Sequence, residues 1–425
     1  MALPAVFGPL RSLKLNRTTR ALLVLIFSFI SLYSVFTFTY RKVSGTDFLS
    51  DLRTSYEYAE KASPSPLSDS LFSSDSTSNT AANINATSDG SGSSIVISPS
   101  SPELDSAVNN GTRRANATML MLARNSELEQ AMQSVRELEQ KFNHQFGYPW
   151  VFLNNVPFTS EFKEKMSALV SGPVTFAMIP PHHWYQPDWI DEQKASDSRD
   201  QMVADDIIYA GSVSYRNMCR FNSGFFYRHP VLQQYKWYWR VEPDVHFHCI
   251  VDEDPFLIME EKNKVYGFTI TLLEFEKTIS TLWSTVKDFI EENPHFVAPD
   301  NSMGFLSEDG GETYNLCHFW SNFEIANMDF WRSEAYSAFF EYLDQHGGFY
   351  YERWGDAPVH SIAASLFLNK NQVHFFDEIG YEHHPFTHCP HGTGIIKKKQ
   401  CSCRGWRSFD YQGYSCMRKW ERIFK

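Results

Sequence analysis

The chain has 425 residues, 43% hydrophobic and 16% aromatic, enough for one large domain or two small ones plus appendages. Its formal net charge is −12, and no basic stripe of the kind a nucleic-acid binder carries is evident. With 35 Phe, 20 Tyr and 11 Trp, the rings suffice for a large core and leave faces free to stack on sugars.

Ala21–Tyr40 contains no charged residue, and about 20 apolar residues cross a bilayer as a helix. Arg11, Lys14, Arg17 and Arg20 precede it, and the first acid is Asp47. This asymmetry predicts a cytoplasmic tail over 1–20, an uncleaved signal anchor over 21–40 and a lumenal remainder, the single-pass type II arrangement. A cleaved signal peptide has a shorter apolar region, about 7–15 residues. Residues 41–115 are rich in Ser, Thr, Asn, Asp and Pro, with few aromatics after Tyr58. Such a segment buries too little apolar area to offset its ordering entropy, which predicts a flexible stem. Asn85-Ala-Thr87, Asn110-Gly-Thr112 and Asn116-Ala-Thr118 are glycosylation sequons on the lumenal side. Asn16-Arg-Thr18 has the same pattern in the cytoplasmic tail and is expected to stay unmodified. The 7 cysteines all follow the anchor, where an oxidising lumen favours disulfides and the odd count leaves one unpaired or intermolecular.

The folded head is predicted over 116–425. Ala117–Ala123 reads as a strand. Ser126-x-x-Glu129 gives a capping-box signature, and Leu128, Met132, Val135, Leu138 and Phe142 mark one face of the helix that follows. Tyr148–Leu153 reads as a strand, Phe162, Met166 and Leu169 as a helix face, and Val174–Ile179 as a third strand. This β-α-β-α-β rhythm predicts a parallel sheet flanked by helices, with ligands beyond the carboxyl ends of the strands. Strands are also predicted at Tyr235–Val241, Val265–Thr271 and Gln372–Phe376, and helices at Ser280–Glu291, Ser333–Leu343 and Asp356–Phe367.

The segment Trp237–Asp244 reads Trp-Tyr-Trp-Arg-Val-Glu-Pro-Asp. An apolar strand that ends in two carboxylates suits a divalent cation, because unpaired buried charge is costly and hard cations take oxygen ligands. The bland reading is a strand that ends in a solvated turn. Other common signatures are missing: no Gly-rich dinucleotide fingerprint, no Walker A loop, no HExxH and no nucleophile elbow. Chemistry-bearing residues instead fall into dispersed blocks: Tyr215–Phe221, Glu242 with Asp244, Tyr314–Asn327 with Glu324 as its single acid, Trp354–His360, and Tyr381–Pro385. Taken alone, His383, His384, His388 and His391 are equivalent loop histidines. Glu324 has a structural alternative as partner of Arg332, and Tyr215 as a packing residue. Arg124 has one as an ordinary ion-pair partner and Asp356 as a helix cap. Cys389, His391, Cys401 and Cys403 superficially resemble a zinc site, but Cys401-x-Cys403 is tighter than the usual spacing. Lys397–Lys399 reads as a solvated turn.

The blocks YRNMCRF, WRVEPD, HFWSNFEIAN and RWGDAPVHS, in this order, resemble the fungal Golgi α-1,2-mannosyltransferases, the glycolipid 2-alpha-mannosyltransferase family (glycosyltransferase family 15). The resemblance covers roughly Ala117 to the C-terminus. It implies a GT-A-type nucleotide-binding α/β fold with a mixed, mostly parallel central sheet, a GDP-mannose donor, Mn²⁺, and transfer with retention. Carried over residue by residue, it implies metal contacts at Glu242 and His383 and a catalytic carboxylate at Glu324. Tyr215 falls near donor and acceptor. Arg124 and Arg220 have the right charge for phosphate oxygens, and Asp244 for a ribose hydroxyl, a metal-bound water or the acceptor. Asp356 is assigned to the acceptor or to structure. Retention is open to two routes: attack by Glu324 to give a mannosyl-enzyme, or entry of the acceptor on the face GDP leaves, with Glu324 stabilising the cationic sugar. The expected partners are a mannose-terminated glycan, the membrane and other Golgi mannosyltransferases. The alternatives are an inactive lectin-like lumenal protein and a metal-dependent nucleoside diphosphatase.

Overall fold

The computed structural model describes residues 113–425. The anchor at 21–40, nearly all of the stem and the sequons at Asn16, Asn85 and Asn110 lie outside the described residues. Among the described residues no helix is long and apolar enough to cross a membrane. Just before the predicted head, Arg113 pairs with Glu260, and Arg114 Nη1 donates to the Phe146 carbonyl at 2.7 Å.

A seven-stranded sheet runs through the head. Its strands are β1 (Ala117–Leu122), β2 (Trp150–Asn154), β3 (Val174–Met178), β4 (Trp237–Arg240), β6 (Tyr266–Phe268), β9 (Glu324–Asn327) and β10 (Val373–Phe375). The order is β10-β6-β9-β4-β1-β2-β3. β4, β1, β2 and β3 are parallel, as the β-α-β rhythm predicts, and their carboxyl ends share one edge. Between β1 and β2 lies α1 (Leu128–Leu138), with Leu128, Ala131, Val135 and Leu138 buried. Between β2 and β3 lies α2 (Ser160–Leu169), capped by the Thr159 hydroxyl. The capping box predicted at Ser126 forms earlier, where the Glu127 carboxylate accepts the Arg124 N–H at 2.7 Å.

β9 is antiparallel to both neighbours and sits between β4 and β6. Its register sets Glu324 opposite Arg240. The predicted strand Val265–Thr271 divides in two: β6 joins the large sheet, and β7 (Thr271–Leu273) pairs with β8 (Cys317–Phe319). At Gly267 a Cβ would stand 2.4 Å from the Phe376 ring, so only glycine admits that ring beside β6. A small antiparallel sheet joins β5 (Val245–Phe247), β11 (Tyr381–His383) and β12 (Phe386–His388). It brings the His-rich loop back to the end of β4, with His383 opposite Val245.

The remaining long helices are α3 (Glu192–Ala204), α4 (Val213–Gly224), α5 (Leu282–Glu292), α6 (Glu334–Gln345) and α7 (Asp356–Phe367). α7 is buried along nearly its whole length and packs against α4, α6 and β8. Three disulfides, Cys249–Cys401, Cys317–Cys416 and Cys389–Cys403, staple the C-terminal segment. That removes the zinc alternative for Cys389, Cys401 and Cys403. Cys219 is the free thiol, buried on α4, and burial pushes its pKa far above the usual thiol range. At the remaining sequon Asn116 is exposed, whereas Thr118 is sealed in β1 with its hydroxyl donating to the Pro149 carbonyl at 3.0 Å.

Candidate active site

A cavity opens at the carboxyl ends of β1, β2 and β4. Leu120, Leu122, Leu153, Phe221 and Phe226 give it apolar walls, and Asn222, Arg240, Glu242 and Glu324 supply polar groups. Its centre is Arg240, the last residue of β4. Arg240 Nη1 donates to Asp356 Oδ2 at 2.6 Å and lies 3.5 Å from Glu324 Oε1, and Nε donates to Glu242 Oε1 at 3.1 Å. Three carboxylates therefore converge on one guanidinium. Burial disfavours the charged arginine, yet the surrounding carboxylates hold its pKa well above the usual value. Burial likewise pushes Asp356 up, but the Arg240 charge outweighs it and the net shift is downward. The Ser321 hydroxyl completes the grip on Asp356 at 2.7 Å.

Glu324 is fully buried at the start of β9. His360 Nδ1 meets its Oε2 at 2.7 Å, and the other ring nitrogen lies 3.0 Å from the Asn222 carbonyl. A carbonyl only accepts, so Nε2 carries hydrogen. Glu324 Oε1 takes Arg240 and the Tyr238 hydroxyl, at 3.5 and 3.4 Å, on the cavity side. Trp331 stacks on the His360 ring with centroids 4.3 Å apart and donates to Tyr238 OH at 3.0 Å. The carboxylate is thus fixed on one side and aimed at the cavity on the other.

The turn from β4 to β5 carries Glu242 and Asp244, and β11 brings His383 alongside. Asp244 is exposed with φ of +67°, a left-handed conformation that Asp tolerates better than most side chains. His383 Nδ1 is shut off from solvent and has no hydrogen-bond partner. Burial lowers the His383 pKa, and the charges of Glu242 and Asp244 pull against that shift. A neutral imidazole with an orphaned nitrogen beside two carboxylates is a donor set suited to a Mn²⁺-like ion. The other loop histidines are separable now. His384 is exposed, while His388 and His391 engage Asp410 and Asp377. Among the described residues, the one convergent group of three metal-ligating types is Cys249, Cys401 and Cys403, all in disulfides.

Arg220 differs from expectation, and the alternatives for Asp356 and Glu324 do not hold. Arg220 does not face the cavity as a phosphate binder: Nε and Nη2 fork onto Asp344 at 2.7 Å each, and the guanidinium lies over the Phe225 ring. Its charge is neutralised in the core. Asp356 does not cap its helix; Gly355 holds the N-cap position and the carboxylate holds Arg240. Glu324 is not the partner of Arg332, which binds the Tyr227, Leu232 and Tyr235 carbonyls. Arg124 lies at the expected edge but is exposed, bonded to Ser214 Oγ at 3.1 Å. Next to Ser214, Tyr215 stacks on Tyr209 at 4.7 Å and carries Arg353 over its ring at 5.2 Å. It stands beside the cavity rather than in its wall. Burial raises its pKa well above the usual value.

Arg240, His360 and Asn222 are the site residues that sequence reasoning missed. Arg240 had a signal: it precedes Glu242 by two, on the same strand face. His360 had one too, four residues after Asp356 on one helical face. Asn222 gave none.

The family described as glycolipid 2-alpha-mannosyltransferase matches residues 72–424. Glycolipid 2-alpha-mannosyltransferase 2 of Candida albicans is 55% identical over 307 residues, covering 72% of this chain and 67% of the relative. Alpha-1,2 mannosyltransferase KTR1 of Saccharomyces cerevisiae is 52% identical over 312 residues, covering 73% of this chain and 79% of the relative. Core-mannan synthase A of Aspergillus fumigatus, solved in a Mn/GDP form, is 42% identical with a TM-score of 0.69, covering 74% of this chain and 86% of that one. The S. cerevisiae mannosyltransferase Ktr4p, solved with GDP, is 41% identical with a TM-score of 0.70, covering 73% and 82%.

Proposed function

The chain belongs to the glycolipid 2-alpha-mannosyltransferase family, and from that premise we propose that it transfers mannose from GDP-mannose to the 2-hydroxyl of a mannose-terminated acceptor, with retention. The observation that carries this reading is the buried Glu324 carboxylate, held between His360 and Arg240 in the wall of a cavity at the sheet's carboxyl edge. The fold is read as the GT-A type.

Glu242 and His383 are the residues that would hold Mn²⁺, with Asp244 beside them, supported by the orphaned His383 nitrogen and the Mn/GDP form of a relative. Such an ion supplies charge neutralisation on a departing diphosphate. Arg240 gathers Glu242, Glu324 and Asp356 around one positive charge. Glu324 faces the cation that develops at the anomeric carbon. Both of its oxygens are engaged by donors, which weakens it as a nucleophile and favours electrostatic stabilisation. Arg124, exposed just past the end of β1, is assigned to donor phosphate. Tyr215 and the Tyr209 ring stacked on it form a rim for the acceptor. The proposed setting is the Golgi membrane, single-pass type II with a lumenal head and in company with other mannosyltransferases, on the strength of the Ala21–Tyr40 run and its basic flank.

The test is to incubate the detergent-solubilised full chain with GDP-mannose, Mn²⁺ and α-methyl mannoside, and to determine the product by NMR. The expected product is an acceptor-dependent α-1,2-linked disaccharide. Free mannose released at the same rate without acceptor, or no turnover at all, overturns the reading in favour of a hydrolase or a sugar-binding protein.

A further inference from the structure

One polar side chain in the cavity has no partner inside the protein. Asn222 is only 7% exposed, and its side-chain amide nitrogen is buried without an acceptor. It lines the same cavity as Glu324 and Arg240. Leaving such a donor unmade costs stability, and a ligand that completes the bond accounts for that cost.

The residue is also held in place. The Asn222 carbonyl accepts from His360 Nε2 at 3.0 Å, and His360 Nδ1 holds Glu324 at 2.7 Å. One imidazole therefore sets the spacing between Asn222 and the carboxylate. The end of α4 is pressed onto α6: a Cβ on Gly224 would stand 1.9 Å from the Phe340 ring. The backbone that carries Asn222 therefore has little room to shift.

We infer that Asn222 is a specificity-determining residue for the donor sugar, its amide nitrogen donating to one hydroxyl oxygen of the mannosyl group being transferred. This rests on the proposed function. Asn222 belongs to the hexose end because the imidazole that fixes it also fixes Glu324, the carboxylate assigned to the anomeric carbon. The diphosphate belongs with Glu242 and His383. A neutral amide donor needs an oxygen lone pair, which a hydroxyl supplies, and the adjoining Phe221 and Phe226 suit the C–H face of a pyranose. A buried donor of this kind rejects a sugar that lacks its oxygen far more strongly than an apolar wall does.

The test compares GDP-mannose with its 2-, 3-, 4- and 6-deoxy analogues, using the full-length chain and Asn222→Ala. The wild type is expected to turn over one deoxy donor roughly tenfold or more slowly in kcat/KM. Asn222→Ala is expected to treat that donor and GDP-mannose alike, within about twofold, while binding GDP with Mn²⁺ as the wild type does. If Asn222→Ala melts without a cooperative transition, Asn222→Ser, with a shorter donor, is measured for the same ratio, with a reduced penalty expected. Identical penalties for every deoxy donor in wild type and variant overturn the assignment, as does a wild type indifferent to all four. A wild type inactive on GDP-mannose itself overturns the proposed function instead.

Discussion

Glu324 with His360, and Asp410 with His388, are the same chemical pair: a carboxylate 2.7 or 2.9 Å from an imidazole nitrogen, both sealed from water. They differ in what is left over. Asp410 also accepts from Ser408 at 2.8 Å and lies 3.1 Å from His391 Nε2, and the second nitrogen of His388 meets the Asp377 carbonyl at 3.0 Å. That network lies beneath the disulfide-stapled C-terminal segment, with one carboxylate matched to its imidazoles and only His391 Nε2 short of a hydrogen bond. Around Glu324 the sums do not close. Three carboxylates share one guanidinium, and Asn222 Nδ2 and His383 Nδ1 lack partners. A buried acid–imidazole pair is therefore equally at home in scaffold and site. Surplus charge, three carboxylates to one guanidinium, tells them apart.

Four measurements break or sharpen this contrast. The largest effect is expected for Glu324→Gln, which should lose about 10³-fold in kcat while GDP affinity by calorimetry stays within a small factor; near-normal turnover removes Glu324 from the reaction. Glu242→Ala should weaken Mn²⁺ binding, followed by electron paramagnetic resonance, at least about 100-fold. Unchanged affinity would show that the paired carboxylates serve Arg240 alone. Asp410→Asn should leave transfer intact and cost about 2 kcal/mol in urea unfolding.

That cost carries a pH signature. Burial pushes His388 down, but Asp410 reverses it and the net shift is upward. A histidine raised on folding stabilises fully below its unfolded pKa of about 6.5 and loses that contribution as pH rises through its folded value. Burial pushes Asp410 up, yet His388 outweighs it and holds the carboxyl far below its usual range, so Asp410 stays ionised across the same window. The gap between wild type and Asp410→Asn should thus be wider at pH 5.5 than at pH 8.5, and an equal gap refutes the charged pairing. The smallest effect is expected for Arg124→Ala. An exposed cation at the sheet edge should alter KM for GDP-mannose by about threefold, with kcat little changed.

The sequence made the repetitive part of the fold legible. Apolar runs of strand length marked β1 through β3, and period-3.6 patterns marked the helices between them, because each packs against a neighbour close in the chain. β9 was invisible. It is four residues long, begins with an acid, and is buried on both faces in mid-sheet, so nothing alternates, and its meaning depends on Arg240 lying opposite across a long loop. β5, β11 and β12 are three residues each, too short for any period. α4 was hidden for another reason: it buries Arg216 and Arg220, and charged residues read as a solvated face until Asp344 is seen beside Arg220 and the Ala210 and Glu352 carbonyls beside Arg216. At the site, Glu242 and Glu324 stood out as acids in apolar runs. His383 was distinguishable from His388 and His391 only by resemblance, since what separates them is which carboxylate each one meets.

Cys219 offers a use of its own. The lone sulfhydryl lies under α4, near Tyr215 and the backbone of Asp356, where α4 meets α7. Burial keeps it protonated at neutral pH, and protonated thiols do not attack alkylating reagents. Its labelling rate in the otherwise disulfide-bonded chain therefore reports how often α4 and α7 part, a clock for local opening beside the cavity that needs no engineered probe.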